Sequence, residues 1–148
     1  MSDAPANDDV AMIGAWFEAL AARVQAVDFA GARHLFAADM VAFGTFSDFL
    51  AGRDAVEAEQ WRRVWPYITG FRWRLAALKA LVAADRLSAV GMACFDSTGY
   101  GADGGAYDRP GRATVAFRRG AVGAPWVAEH THMSLFRGTP QQSFGKKG

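Results

Sequence analysis

From Val10 onward, the apolar positions Ile13, Trp16, Phe17, Leu20, Val24 and Val27 return at helical spacing, with Glu18, Arg23 and Gln25 off the stripe. This spacing predicts a long amphipathic helix that Asp8 or Asp9 is placed to cap. Asp28 is placed to cap a second, short helix over 29–37, with Ala32, Leu35 and Phe36 facing inward. A strand is expected over 40–46, then a loop through Ser47 and Asp48. A third helix opens at Gly52, with Val56, Gln60, Trp61, Val64, Trp65 and Ile68 on one face, and closes at Pro66 and Gly70.

After Gly70 the period falls to two. Phe71, Trp73 and Leu75 alternate with Arg72 and Arg74, and then Leu78, Ala80 and Val82 take over the apolar phase. A phase change of this kind predicts a bulge near Ala76 and Ala77 that bends the strand. Further strands are expected over 87–97, 112–119 and 126–137, joined by turns at 83–86 and 120–125 and by a Gly-rich segment over 99–111. Helices first and antiparallel strands after give an α+β domain, and a bent sheet wrapped over helices leaves a concave side for a pocket. Residues 1–7 read as a disordered lead-in, 8–137 as one domain and 138–148 as a flexible tail.

The 148 residues suffice for one domain with a real core, and 51% hydrophobic content excludes a disordered chain. A net charge of +1 argues against nucleic acid as the main partner. The local pairs Arg62–Arg63, Arg72 with Arg74, Arg118–Arg119 and Lys146–Lys147 read as solvated faces or turns. A lone Cys94 in an apolar setting reads as a buried inert thiol and fits a reducing compartment. Neither a signal nor an apolar run of membrane length is present, so the expectation is a cytoplasmic protein that spans no membrane.

The stretch from Trp126 to Leu135 carries the densest candidate chemistry. His130 and His132, two apart on a strand, share a face with Ala128 and Ser134; Val127, Glu129, Thr131, Met133 and Leu135 share the other. Two imidazoles on one face can chelate a metal if His34, Asp96 or Glu129 joins them, but no spacing requires it. Structural or interface histidines are the expected role, and neither a metal nor another cofactor is expected. On the strand before, Val90, Met92, Cys94 and Asp96 share a face, and Arg112, Thr114 and Ala116 do so on the next. Asp96 either gains a raised pKa among apolar neighbours and exchanges protons, or pairs with Arg112 in solvent.

Trp16, Trp61 and Trp65 are expected to face the sheet, as core or as the lining of a cavity. The run Gly99-Tyr100-Gly101-Ala102-Asp103-Gly104 fits a dinucleotide fingerprint in form only, because another strand follows it instead of a helix. It reads better as a hairpin flap that brings Tyr100 or Tyr107 to a bound ligand.

The order of elements resembles the nuclear transport factor two-like superfamily, in its SnoaL-like and ketosteroid-isomerase-like branches. The residues that carry the resemblance are 28–32, 35–39, Leu50-Ala51-Gly52-Arg53-Asp54-Ala55, and Trp126 with His130-Thr131-His132-Met133-Ser134. The last strand also resembles the association domain of calcium/calmodulin-dependent kinases. The resemblance implies a cone-shaped barrel, with a strongly bent, mostly antiparallel sheet around three N-terminal helices. It further implies a small organic ligand inside the cone and dimerisation sheet to sheet. The isomerase's catalytic Asp and Tyr positions fall on Gly44-Thr45 and Leu20, and the association domain's pocket Arg falls on Met133, so those functions are not carried over. If the association-domain likeness holds, the Met133 face looks into the cone and the histidines look out.

The expected function is therefore the binding of a small apolar organic molecule, with cofactor-free acid/base catalysis open through Asp96, Glu129 or His132. A non-catalytic assembly module is the alternative. The expected lining is Trp16, Leu20, Phe43, Trp61 and Trp65 from the first half of the chain. Met92, Tyr100, Thr114, Thr131 and Met133 are expected to complete it from the strands. The expected partners are that ligand and a second copy on the outer sheet face.

Overall fold

The first helix is longer than its apolar stripe. The computed structural model describes residues 4–44 and 48–147; Thr45, Phe46 and Ser47, where the first strand was expected to end, lie outside the described residues, as do Met1 to Asp3 of the lead-in. Helix α1 runs over Ala4–Ala26, so Asp8 and Asp9 sit inside it and cap nothing. Asp9 has another role. Its side chain is 1% exposed and accepts hydrogen bonds from Arg119 at 2.6 Å and from Arg86 at 2.6 and 3.0 Å. The Arg119 guanidinium lies 3.8 Å from the centre of the Trp126 ring, and the Trp126 indole N–H donates to the Asp9 carbonyl. Arg119, expected in solvent beside Arg118, is thus a buried cation with a buried acid. The Arg86 hydrogen bond, backed by Arg119, pulls the Asp9 carboxyl down to about 2 against the opposing effect of burial.

The helix ends on Val27, which sits at φ 52° instead of on the buried stripe. Its N–H donates to the Val24 carbonyl and that of Asp28 to the Arg23 carbonyl, the paired bonds of a left-handed helix stop. Asp28 caps the next helix as expected, its carboxylate accepting from the Gly31 N–H at 2.9 Å. That helix, α2, is only Phe29–Ala32; a 3₁₀ turn over Arg33–Leu35 leads straight into β1, Phe36–Phe43. Strand pairing that starts at Phe36 overrides the helical spacing expected to run through Ala37. After β2 (Phe49–Ala51) comes one helical run, built from α3 (Arg53–Val56), a π-helical turn (Glu57–Trp61), α4 (Arg62–Val64) and a 3₁₀ turn (Trp65–Tyr67).

The sheet follows: β3 (Thr69–Trp73), β4 (Lys79–Val82), β5 (Ser88–Tyr100), β6 (Ala106–Asp108), β7 (Gly111–Arg118) and β8 (Val127–Leu135). Its order is β2-β1-β8-β7-β5-β3, with β4 and β6 also paired to the long β5. Every pairing is antiparallel except β1 with β8. In place of the bulge expected near Ala76 and Ala77, a 3₁₀ turn over Leu75–Ala77 ends one strand and starts another, separating β3 from β4. This is the α+β cone: a bent, mostly antiparallel sheet closing over the helices.

Close approach of α1 to the sheet depends on a missing side chain. A Cβ on Gly91 would lie 2.9 Å from the Phe17 ring and 3.1 Å from Ile13. Trp16, Phe17 and Phe117 fill that space, with ring centres 4.9 to 6.1 Å apart. The expected loose tail is also tied down. Phe144 N–H donates to the Tyr100 carbonyl, and the Ser143 hydroxyl accepts from the Tyr100 N–H and donates to the Tyr67 carbonyl. Among the described residues no helix is long and apolar enough to cross a membrane.

Candidate functional site

Alternation on the strands decides what faces the cone. On β5 the buried positions are Ala89, Gly91, Ala93, Phe95, Ser97 and, at its end, Gly99 and Tyr100; on β7 they are Gly111, Ala113, Val115 and Phe117. Val90, Met92, Cys94, Asp96 and Thr114 therefore sit on the outer surface. Met92 and Thr114 leave the expected lining, and Cys94 is half-exposed, not buried.

On β8 the two-residue period breaks. Ala116 of β7 pairs with His130 and the next residue, Phe117, with Ala128, so Glu129 is an extra residue in a bulge. The bulge resets the phase: Ala128 is buried, and beyond it Thr131 and Met133 face in while His132 is exposed. Glu129 consequently points away from Thr131, with which it was grouped, and lies 3.4 Å from Arg118. The Met133 face is the cone face, as the association-domain likeness implied.

Between the sheet and the helical run lies a cavity of about 40 Å³. At roughly 10–15 Å³ of this measure per water it is a small space, nearly filled by its own walls. Leu20, Trp61, Trp65, Thr131 and Met133 line it as expected. The other expected lining residues do not. Trp16 donates its indole N–H to the Leu35 carbonyl at 2.9 Å within the core, and Tyr100 turns its hydroxyl to Thr69 at 2.8 Å. Phe43 packs against the rings of Phe49, His130 and His132 on the outer face.

The missed lining includes four aromatic residues, Phe36, Phe71, Trp73 and Phe95. Trp61 stacks on Trp65 at 5.0 Å and 15°. The π-helical turn, with one residue more per turn than an α-helix allows, buries Gln60 beside Trp61. Gln60 was legible on the inward face of the third helix but not as a polar group of the site. Its Nε2 lies 3.9 Å from the Met133 sulfur, and its Oε1 has no partner among the described residues. The Trp73 indole N–H and the Arg109 Nε are likewise buried without one. Arg109, from the Gly-rich segment, is the one charged side chain lining the cavity among the described residues.

None of the three expected proton carriers reaches this space. Asp96 takes a two-pronged bond from Arg74, at 2.8 and 2.9 Å, in place of the expected Arg112. That bond holds its carboxyl below the usual carboxylate range, opposite to the raised value that proton exchange would need. Arg112 instead covers the Phe136 ring at 4.8 Å. Glu129 and His132 lie on the outer face with Asp96. His130 bonds the Val41 carbonyl through Nδ1 at 2.8 Å, a structural role. No cluster of three His, Cys, Asp or Glu suited to a metal occurs among the described residues.

Known folds repeat this architecture. A ketosteroid isomerase-like protein from Erwinia carotovora superposes with a TM-score of 0.72 at 19% identity, over 88% of this chain and 98% of its own. A nuclear transport factor 2-like superfamily protein from Salmonella enterica gives 0.73 at 14% identity, over 97% and 99%. The association domain of C. elegans CaMKII gives 0.65 at 13% identity, over 90% and 99%. No curated protein matches the chain by sequence. Residues 11–137 match the SnoaL-like domain; with a match of that length, the chain belongs to the SnoaL-like domain family.

Proposed function

We propose that this protein binds a small, flat, apolar organic molecule inside the cone, among Trp61, Trp73 and Phe95. The observation that carries the reading is the character of the cavity. Six of its sixteen lining residues are aromatic, and Gln60 Oε1, the Trp73 indole N–H and Arg109 Nε have no partner among the described residues. Buried polar groups are nearly always paired, so three orphans around one cavity argue for a ligand that pairs them. Entry of a ring needs room, and the unbranched Met133 is the wall best able to swing aside.

The same geometry supports binding over acid/base catalysis by Asp96, Glu129 or His132, all on the far side of the sheet. The isomerase-like relative therefore lends this chain its shape and not its chemistry. The test is a titration of benzyl alcohol followed by tryptophan emission and thermal midpoint. Saturable binding is expected, and its loss in Ala113→Met, which fills the cavity, at unchanged circular dichroism. Emission that responds only linearly in both proteins would dismiss the reading.

For the outer face we propose packing of a second copy of this chain. Val90, Met92 and Ala116 stand half-exposed on adjacent strands, and Phe49 is 69% exposed at the sheet edge beside Phe43. Sedimentation should give a dimer that Met92→Glu dissociates; a wild-type monomer at high concentration would reject it.

A further inference from the structure

Resting on the cavity reading above, we propose that the ligand carries a carboxylate and that Arg109 is the residue that receives it. Arg109 is 2% exposed, and its backbone is fixed from both sides by one residue of β5. Its N–H donates to the Ser97 carbonyl at 2.8 Å, while its own carbonyl accepts from the Ser97 hydroxyl at 2.7 Å. Pro110 follows and limits the chain further. The corner between β6 and β7 thus holds this side chain toward the cavity.

The guanidinium is under-used where it lies. One terminal nitrogen donates to the Gln141 carbonyl at 3.1 Å, the Tyr107 hydroxyl is a second partner, and Nε has none among the described residues. Among the described residues no carboxylate lies within ion-pair distance of it. Burial pushes its pKa down, countered only by Tyr107, yet a guanidinium stays charged under any ordinary condition.

Arg119 shows the contrast inside the same molecule. Also buried, it has the Asp9 carboxylate at 2.6 Å. A buried cation normally brings its own anion, because the charge is costly otherwise. Arg109 has none, and it is the one that lines a cavity.

The chemistry of the ligand follows from the lining. A guanidinium fork matches a planar carboxylate with two parallel N–H···O bonds, and aromatic walls keep the local dielectric low enough to make them strong. A single cation matches a single negative charge, and the walls match a ring. The class is a small aromatic or alicyclic monocarboxylate, with Gln60 and the Trp73 indole N–H available to a second polar substituent.

The test compares benzoate with its neutral analogues benzamide and benzyl alcohol, titrated into the full chain at fixed ionic strength and followed by calorimetry. Benzoate is expected to bind at least about tenfold tighter than benzamide, the increment typical of a hydrogen bond to a buried charge. Arg109→Met should erase that preference while leaving benzyl alcohol binding in place, and Arg109→Lys should retain part of it. If Arg109→Met does not fold, the wild-type ratio and the lysine variant decide. Equal affinities for benzoate and benzamide overturn the carboxylate assignment and leave the cavity reading standing. A preference that survives in Arg109→Met also overturns it. Failure of all three compounds to bind removes the cavity reading itself, and this inference with it.

Discussion

The two faces of β5 and β7 both carry apolar residues, yet they do opposite work. Inward are Ala89, Gly91 and Ala93, then Ala113 and Val115; outward are Val90, Met92 and Cys94, then Thr114 and Ala116. Over residues 89–94 of β5 the bulkier set is the outer one, before Phe95 turns inward. The helices explain this. Trp16, Phe17 and Trp61 bring so much volume to the interior that the sheet beneath them must offer small side chains, and at Gly91 none at all. Depth in the core and size on the strand are complementary, so the larger residue at a strand position need not mark the core.

The comparison breaks most visibly at its largest inner side chain on β7. Phe117 is fully buried between Trp16 and Trp126. Phe117→Ala should cost about 3–5 kcal/mol in urea unfolding, the usual range for an emptied aromatic core site. Met92→Ala, on the facing strand but outside, should cost about 0.5 kcal/mol or less in dilute protein. Similar losses for the two would mean that the faces are not distinguished as described.

Much of this was legible in the chain, and the failures have physical causes. Helix α1 and the Asp28 cap follow from period and punctuation, the cone was implied by the family resemblance, and the phase change after Leu75 was legible but not as the 3₁₀ turn it makes. Period alone does not say which face is inside when both carry apolar residues, which is why Met92 and Thr114 were expected in the pocket and Asp96 was left open between pocket and solvent. On β8 the bulge at Glu129 leaves no compositional trace, so alternation counted straight through it placed Glu129 with Thr131. Phe43 carries the hydrophobicity of a lining residue but pairs with His132 on the outer side. Arg109 lay in a Gly-rich segment with no period to interpret, and only the proline after it hinted at a fixed backbone. Arg119, next to Arg118 in sequence, owes its burial to Asp9, which lies far away in the chain and is invisible to local pattern.

Ion pairs sharpen the contrast, because one lies inside and one outside. Asp9 between Arg86 and Arg119 is sealed; Asp96 on Arg74 is part-exposed on the outer sheet. Asp9→Asn strands the buried Arg119 charge and should cost roughly 3 kcal/mol. A carboxyl whose folded pKa is depressed contributes its stability above its unfolded value of 3.8, and that contribution is lost as the pH falls through the folded value of about 2. Wild type should therefore lose this support between about pH 4 and pH 2, and in Asp9→Asn that part of the acid loss should be missing. The sign is the same for Asp96, also depressed, but water screens its pair, so Asp96→Asn should shift the urea midpoint at pH 7 barely at all. Benzyl alcohol affinity should also be unchanged in Asp96→Asn, since the cavity lies across the sheet from it. Loss of ligand binding in that variant, at unchanged stability, would place Asp96 in the site and undo the assignment of faces from which the contrast begins.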